Sequence, residues 1–264
     1  MHLVERGDGT PLVLLHGFGV DHRILLPLDD AIAEAGPWRR IYMDLPGHGL
    51  TPAGHVASAE EMAKEVERQI DEVTGGVRFA VLGNSFGGMI ARRVAHDLEE
   101  RVLGLATLAG VFVAESSERD LPDRALLLEN EDVIEGMGDA GDDFADMAVI
   151  QTSEHAQAFL DHVLPGLEVS DRRAMARIAR RYGFSREPED VATGPFTKPA
   201  LFLTGRQDHV VGFRDAWARH EHYTRATYAT LDSAGHNVHL ERSALARALV
   251  QDWLARMGPA AGAS

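Results

Sequence analysis

The run Val77 to Asp97 constrains the chain more than any other stretch, because it passes from strand to helix through Gly83-Asn84-Ser85-Phe86-Gly87-Gly88 with no residues to spare. Val77 to Leu82 is an apolar run of strand length, and a stretch of helical period starts at Met89. Turning a strand straight into a helix forces the central residue into a strained backbone. Side chains two positions away on either side would collide, so glycine belongs at 83 and 87. Ser85 is thereby predicted to stand clear of the backbone at a helix N-terminus, whose unpaired amides favour developing negative charge.

The rest of the chain repeats this alternation. Further strand-length apolar runs are Pro11 to Leu15, Arg40 to Met43, Val102 to Leu108, Ala200 to Thr204 and Ala226 to Leu231. Helices are predicted over Ile24 to Ala35, Ser58 to Val73, Met89 to Asp97, Phe213 to Tyr223 and His239 to Met257, with Ser58 and Glu61 forming a capping box. Such a pattern predicts an α/β fold with a mostly parallel central sheet flanked by helices. It fails between residues 112 and 195, where no strand is predicted. We expect an inserted helical cap there, and one core formed by residues 1–111 and 196–264. Within the insertion an acidic stretch, Glu115 to Glu168, precedes five arginines between Arg172 and Arg181. These blocks are expected to pair with each other or to face solvent. The end, Gly258 to Ser264, reads as a frayed tail.

Composition removes several classes of function. The chain has no cysteine, which excludes disulfides and thiol nucleophiles. Its formal charge of −15 opposes binding to nucleic acid or anionic lipid. The only lysines, Lys64 and Lys198, complete no phosphate-binding loop. Neither a leader pattern nor an apolar run of membrane-spanning length is evident, so a cytoplasmic protein is expected, with no membrane partner. The pairs His220-x-His222 and His236-x-x-His239 lack the remaining ligands of a metal site and read as surface or catalytic histidines. No metal or organic cofactor is expected. A small-molecule substrate is the expected partner, and a monomer or homodimer the expected state.

A serine hydroxyl needs a neighbouring base to act as a nucleophile. Asp208 follows the strand Ala200 to Thr204, and His236 follows Ala226 to Leu231, so both leave the sheet edge that carries Ser85. Thirteen histidines and many carboxylates compete for these roles; the joint placement of Asp208 and His236 past successive strand ends, which capping or packing alone does not predict, favours this set. Glu221 and Asp232, the latter placed on the strand itself, are the fallback acids. The main-chain amides of Phe18, in the glycine-rich loop after Pro11 to Leu15, and of Phe86 are candidates for an oxyanion hole.

Five landmarks, His16-Gly17-Phe18-Gly19, Asp44-Leu45-Pro46-Gly47-His48-Gly49, Gly83 to Gly88, Thr204-Gly205-Arg206-Gln207-Asp208 and Ala234-Gly235-His236, together resemble the α/β-hydrolase superfamily over nearly the whole chain. The resemblance implies a serine hydrolase with a helical cap and a structural role for Asp44 to Gly49, so no chemistry is assigned to His48. It implies hydrolysis of a carboxylic ester, thioester, lactone or amide through an acyl-enzyme. Gly83 to Gly88 is also similar to meta-cleavage product hydrolases, which cleave carbon-carbon bonds of dienoates, although Gly17-Phe18-Gly19-Val20 departs from their glycine-proline loop. A third alternative is a ligand receptor of the same fold without turnover.

Overall fold

The structure is a computed structural model that describes residues 1–258, so nearly all of the predicted frayed tail lies outside the described residues. Seven strands form one sheet: β1 (Leu3–Arg6), β2 (Thr10–Leu15), β3 (Trp38–Met43), β4 (Phe79–Asn84), β5 (Val102–Leu108), β6 (Ala200–Gly205) and β7 (Ala226–Leu231). Their order is β1-β3-β2-β4-β5-β6-β7, and only β1 runs antiparallel to its neighbour. All six strand-length runs of the sequence are therefore strands. β4, β5 and β6 are buried along their entire length, as strands covered on both faces must be, which is why they read as continuous apolar runs. β1 gave no such signal because it is a four-residue edge strand, half exposed, pairing only with β3.

The helices are α1 (Asp29–Glu34), α2 (Ala59–Thr74), α3 (Phe86–Asp97), α4 (Glu131–Gly136), α5 (Gly141–Met147), α6 (Ser153–His162), α7 (Leu164–Val169), α8 (Arg172–Ala179), α9 (Pro188–Val191), α10 (Arg214–Trp217), α11 (Val238–Glu241) and α12 (Ser243–Ala255). Three predicted helices differ. The one at Ile24 to Ala35 is a 3-10 turn containing Pro27 followed by α1, because proline supplies no amide to carry an α-helix through. Phe213 to Tyr223 is a single helical turn, α10, continued by turns in which His220 and Tyr223 bond carbonyls three residues back. His239 to Met257 divides at Arg242, whose φ of −126° and ψ of 50° interrupt the helix between α11 and α12. At the start of α2, Ser58 accepts from the amide of Glu61 as predicted, but the Glu61 carboxylate reaches the amide of Ala57, one residue further out.

Between β5 and β6 the chain carries α4 to α9 and, among the described residues, no named strand. The acidic stretch and the arginines on and just after α8 do not pair: Arg177 donates to the carbonyl of Val56, Arg181 faces Glu61 at 3.7 Å, and Arg172, Arg173 and Arg180 are exposed. The excursion is anchored from below by Arg92 on α3. That side chain is fully buried, and it donates to Glu189 at 2.8 Å and 2.5 Å, to Glu187 at 3.0 Å and to the carbonyl of Val111 at 2.8 Å.

The strand order decides where a ligand can lie. β2 has β3 on one side and β4 on the other, so the connections leave in opposite directions and open a crevice at the carboxyl ends of β2 and β4. The loop holding Gly17 and Phe18 leaves one of these strands; Ser85 leaves the other.

Candidate active site

Ser85 occupies the turn between β4 and α3 with φ 51° and ψ −116°, a conformation that costs an L-residue roughly 1–3 kcal/mol. The surrounding backbone enforces it. A Cβ at Gly83 would lie 2.1 Å from the carbonyl oxygen of Gly87, and one at Gly87 would lie 2.3 Å from the carbonyl oxygens of Leu15 and His16. Gly17 packs as tightly, since a Cβ there would meet the Asn84 side chain at 2.9 Å and that of Ser85 at 3.2 Å. Asn84 is pinned by its own donation to the carbonyl of Leu108.

The structure brings together all three side chains singled out in the sequence. His236 Nε2 lies 2.9 Å from Ser85 Oγ, and His236 Nδ1 lies 3.1 Å from Asp208 Oδ2. With Nδ1 carrying the proton toward the carboxylate, Nε2 is left to accept from the hydroxyl. Asp208 is wholly buried, and its second oxygen accepts from the amides of Val210 at 2.9 Å and Val211 at 3.0 Å, which fixes the carboxylate plane. Close approach of two loops completes the alignment, because a Cβ at Gly205 would sit 2.2 Å from the carbonyl oxygen of Gly235.

The fallback acids stand elsewhere. Asp232 lies just past β7 rather than on it, where its carboxylate accepts from Gln207 and Ser233; Glu221 is exposed. The amide of Phe86 opens α3 and that of Phe18 lies in the turn after β2, and neither donates to another group among the described residues. Their rings meet edge to face at 5.3 Å, so the two loops pack as one wall.

The other histidines separate cleanly from this site. His239 is not at the surface: it is fully buried, donates from Nε2 to the carbonyl of Ile24, and is pushed down to about 4 by burial, so it is neutral. His48 is buried beside His16 and pushed down to about 3, chiefly by burial. His222 lies 2.8 Å from His96, nitrogen to nitrogen, away from the crevice. One further cluster, His2, His22 and Asp44, has metal-ligand atoms within 4.8 Å of one another. There Asp44 already accepts from the amides of His22 and Leu50 and from the His22 ring, which accounts for its burial as a turn-stabilising carboxylate.

Above Ser85 and His236 lies a cavity of about 630 Å³, lined mainly by apolar side chains from the core loops and from α5 to α8, among them Phe18, Ile24, Phe159, Leu167 and Tyr182. Residues invisible to the sequence reading enter here. Arg119 and Tyr182 line the cavity, and Glu241 holds the loop of His236 from behind through the amide of Gly235. None belongs to a local motif. Among the described residues, no helix is long and apolar enough to cross a membrane.

Comparison with known proteins agrees with this geometry. The family model described as "Alpha/beta hydrolase family" matches residues 12–248. A pimeloyl-(acyl-carrier protein) methyl ester esterase from Shewanella sp. (strain MR-7) is 32% identical over 120 residues, which is 45% of this chain and 42% of that protein. The enzyme of the same name from Aeromonas hydrophila subsp. hydrophila is 29% identical over 88% of this chain and 91% of its own length. Among solved structures, an alpha/beta superfamily hydrolase from Oenococcus oeni PSU-1 superposes with a TM-score of 0.89 at 24% identity, covering 97% of this chain and 95% of that one. A match over most of the chain, on a sheet of this order, identifies the protein as a member of the alpha/beta hydrolase family.

Proposed function

We propose that this protein is a carboxylic ester hydrolase in which Ser85 is the nucleophile, His236 the general base and acid, and Asp208 the residue that orients and charge-balances the imidazole. The observation that carries the reading is the continuous hydrogen-bonded line from Ser85 Oγ through both nitrogens of His236 to Asp208 Oδ2. Relatives named as methyl ester esterases favour an ester over the other acyl derivatives. The stretch 112–195 acts in this reading as a cap whose inner faces close the cavity over the ester.

In the first half of the cycle the Ser85 oxygen attacks the acyl carbon while its proton passes to His236 Nε2. The oxyanion so formed is received by the Phe18 and Phe86 amides, each such donor contributing on the order of 3 kcal/mol to the transition state. The C–O bond to the leaving alcohol then breaks, and the imidazolium returns the proton to the departing oxygen. Water, deprotonated by the same imidazole, attacks the acyl-serine, releases the carboxylic acid and restores the hydroxyl. Apolar side chains such as Phe18, Phe159 and Leu167 line part of the cavity and lower the local polarity around these electrostatic contacts.

A fluorophosphonate probe and a panel of p-nitrophenyl esters of increasing acyl length test the reading together. We expect covalent labelling of the wild type, none of Ser85→Ala, and turnover of at least the shorter esters. Saturable binding of a small ligand without labelling or turnover would make the protein a receptor. Turnover confined to a dienoate ring-fission product would make it a carbon-carbon hydrolase.

A further inference from the structure

Arg119 lines the cavity with no carboxylate of the described residues at salt-bridge distance, although Asp215 feels its charge from further away. Its Nε donates to the carbonyl of Val113 at 2.8 Å, one terminal nitrogen to that of Val210 at 2.9 Å, and the other to that of Ala114 at 2.9 Å. No carboxylate of the described residues pairs with it, in a chain whose formal charge is −15. A guanidinium carries five N–H donors in a planar fork, so the three carbonyls leave two unclaimed and hold the fork in a fixed orientation.

Tyr182 supplies a second donor at the same place. Its ring is packed against Phe86 at 4.9 Å and Phe18 at 5.5 Å, so it sits against the wall that carries the proposed oxyanion amides. The hydroxyl lies beside the Arg119 guanidinium. A guanidinium has no lone pair to offer, and no other residue among those described accepts from this hydroxyl, so its hydrogen is free to point into the cavity. Burial pushes the phenol up to about 12, which keeps that hydrogen in place at neutral pH. The carboxylates that also line the cavity, Glu115, Asp143 and Asp146, are solvent-exposed, and Asp146 faces Arg124 at 3.4 Å. In salt their repulsion of an incoming anion is largely screened, whereas a contact inside the cavity is not.

We propose that Arg119 and Tyr182 form an anion subsite, and that the substrate is an ester that also carries a free carboxylate within a few bonds of the ester carbon. The inference rests on the ester-hydrolase reading and adds the polarity of the substrate to it. The guanidinium N–H left over from the three carbonyls and the Tyr182 contact, together with the phenol O–H, offers one donor to each oxygen of a carboxylate. Val210, which takes one of the Arg119 bonds, also donates its amide to Asp208, so the subsite is built on the loop that carries the proposed acid.

Monomethyl glutarate and methyl valerate, which has a methyl group where the first has its carboxylate, test the proposal near neutral pH and at physiological ionic strength. We expect the wild type to prefer the half-ester by about tenfold or more in kcat/KM. That ratio is expected to fall about tenfold in Arg119→Met, less in Arg119→Lys, and severalfold in Tyr182→Phe. Equal or better use of methyl valerate by the wild type overturns the subsite, as does a ratio unmoved in Arg119→Met and Tyr182→Phe. Because Arg119→Met also releases three carbonyls, Tyr182→Phe is the control that removes only a hydroxyl and keeps the ring packing. Calorimetric binding of monomethyl glutarate to Ser85→Ala, compared with the Ser85→Ala, Tyr182→Phe pair, separates the two hypotheses. Binding that weakens with Tyr182→Phe, in a protein whose wild type turns over neither ester, sinks the hydrolase and leaves the subsite. Turnover of both esters without preference does the reverse.

Discussion

The carboxylate of Glu241 on α11 accepts a 2.6 Å hydrogen bond from the main-chain amide of Gly235, the residue immediately before His236, while its other oxygen accepts from the amide of Val149 at 2.9 Å. Glu241 thus ties the loop of the proposed base to the excursion above it, and burial raises its carboxyl above the usual range. A glutamine here can accept from only one of the two amides and turns its NH2 group toward the other. Glu241→Gln is therefore expected to cost about 1–3 kcal/mol, the penalty for a buried donor left unpaired. It should also lower kcat for a p-nitrophenyl ester more than it raises KM, because it displaces the base and not the binding wall. Thermal unfolding and steady-state kinetics check both; an unchanged kcat would remove the positioning role.

Asp208→Asn should separate catalysis from folding. The asparagine oxygen can still accept from Val210 and Val211, so the melting midpoint is expected to move by no more than about 1 kcal/mol equivalent. Its NH2 group, however, donates toward His236 Nδ1 and stabilises the tautomer with the proton on Nε2, which cannot receive one from Ser85. A loss of ~10³–10⁴ in kcat is expected. Activity within tenfold of the wild type would mean that another group orients the base.

The backbone strain at Ser85 gives a stability prediction that needs no substrate. Glycine tolerates φ 51° with ψ −116° and alanine does not, so Ser85→Gly should be more stable than Ser85→Ala by about 1 kcal/mol, even after allowing for glycine's more flexible unfolded chain. Urea unfolding of the two variants decides it, and the opposite order would mean that the turn is relaxed.

Acid should unfold the protein in two overlapping stages. His239 and His48, held at about 4 and about 3 chiefly by burial, bind protons more readily unfolded than folded, so their contributions are complete above the unfolded value of 6.5 and are lost as pH falls from there toward about 3. Burial alone would raise the Glu189 carboxyl, but the charge of Arg92 more than offsets that and brings it from 4.5 to about 2. Its contribution is present above 4.5 and is lost as pH falls through the range down to about 2. Glu189→Gln should flatten the lower stage and, at neutral pH, cost about 3 kcal/mol because Arg92 is left buried without its main partner. Denaturant unfolding at a series of pH values measures both effects; a lower stage as steep in Glu189→Gln as in the wild type would contradict them.

The local signals of the sequence were sufficient for the α/β architecture and for expecting Ser85, Asp208 and His236 at one sheet edge, where the structure brings them within hydrogen-bonding distance. The sheet and the turn follow from short-range constraints, apolar runs that must be covered on both faces and glycines at 83 and 87 without which the turn cannot close, whereas Asp208 and His236 needed their joint order along the chain as well as their places just past strand ends. Edge strand β1 and the break at Arg242 escaped because their patterns are short or polar, and the burial of His239 escaped because its carbonyl partner, Ile24, lies 215 residues away. Only the tertiary structure could decide that Arg119 and Tyr182 share a cavity with Ser85, or that Glu241 holds the amide of Gly235. Those relationships arise where loops from different strands meet the excursion between β5 and β6. No periodicity encodes them, because each residue's neighbour there is fixed by packing and not by its distance along the chain.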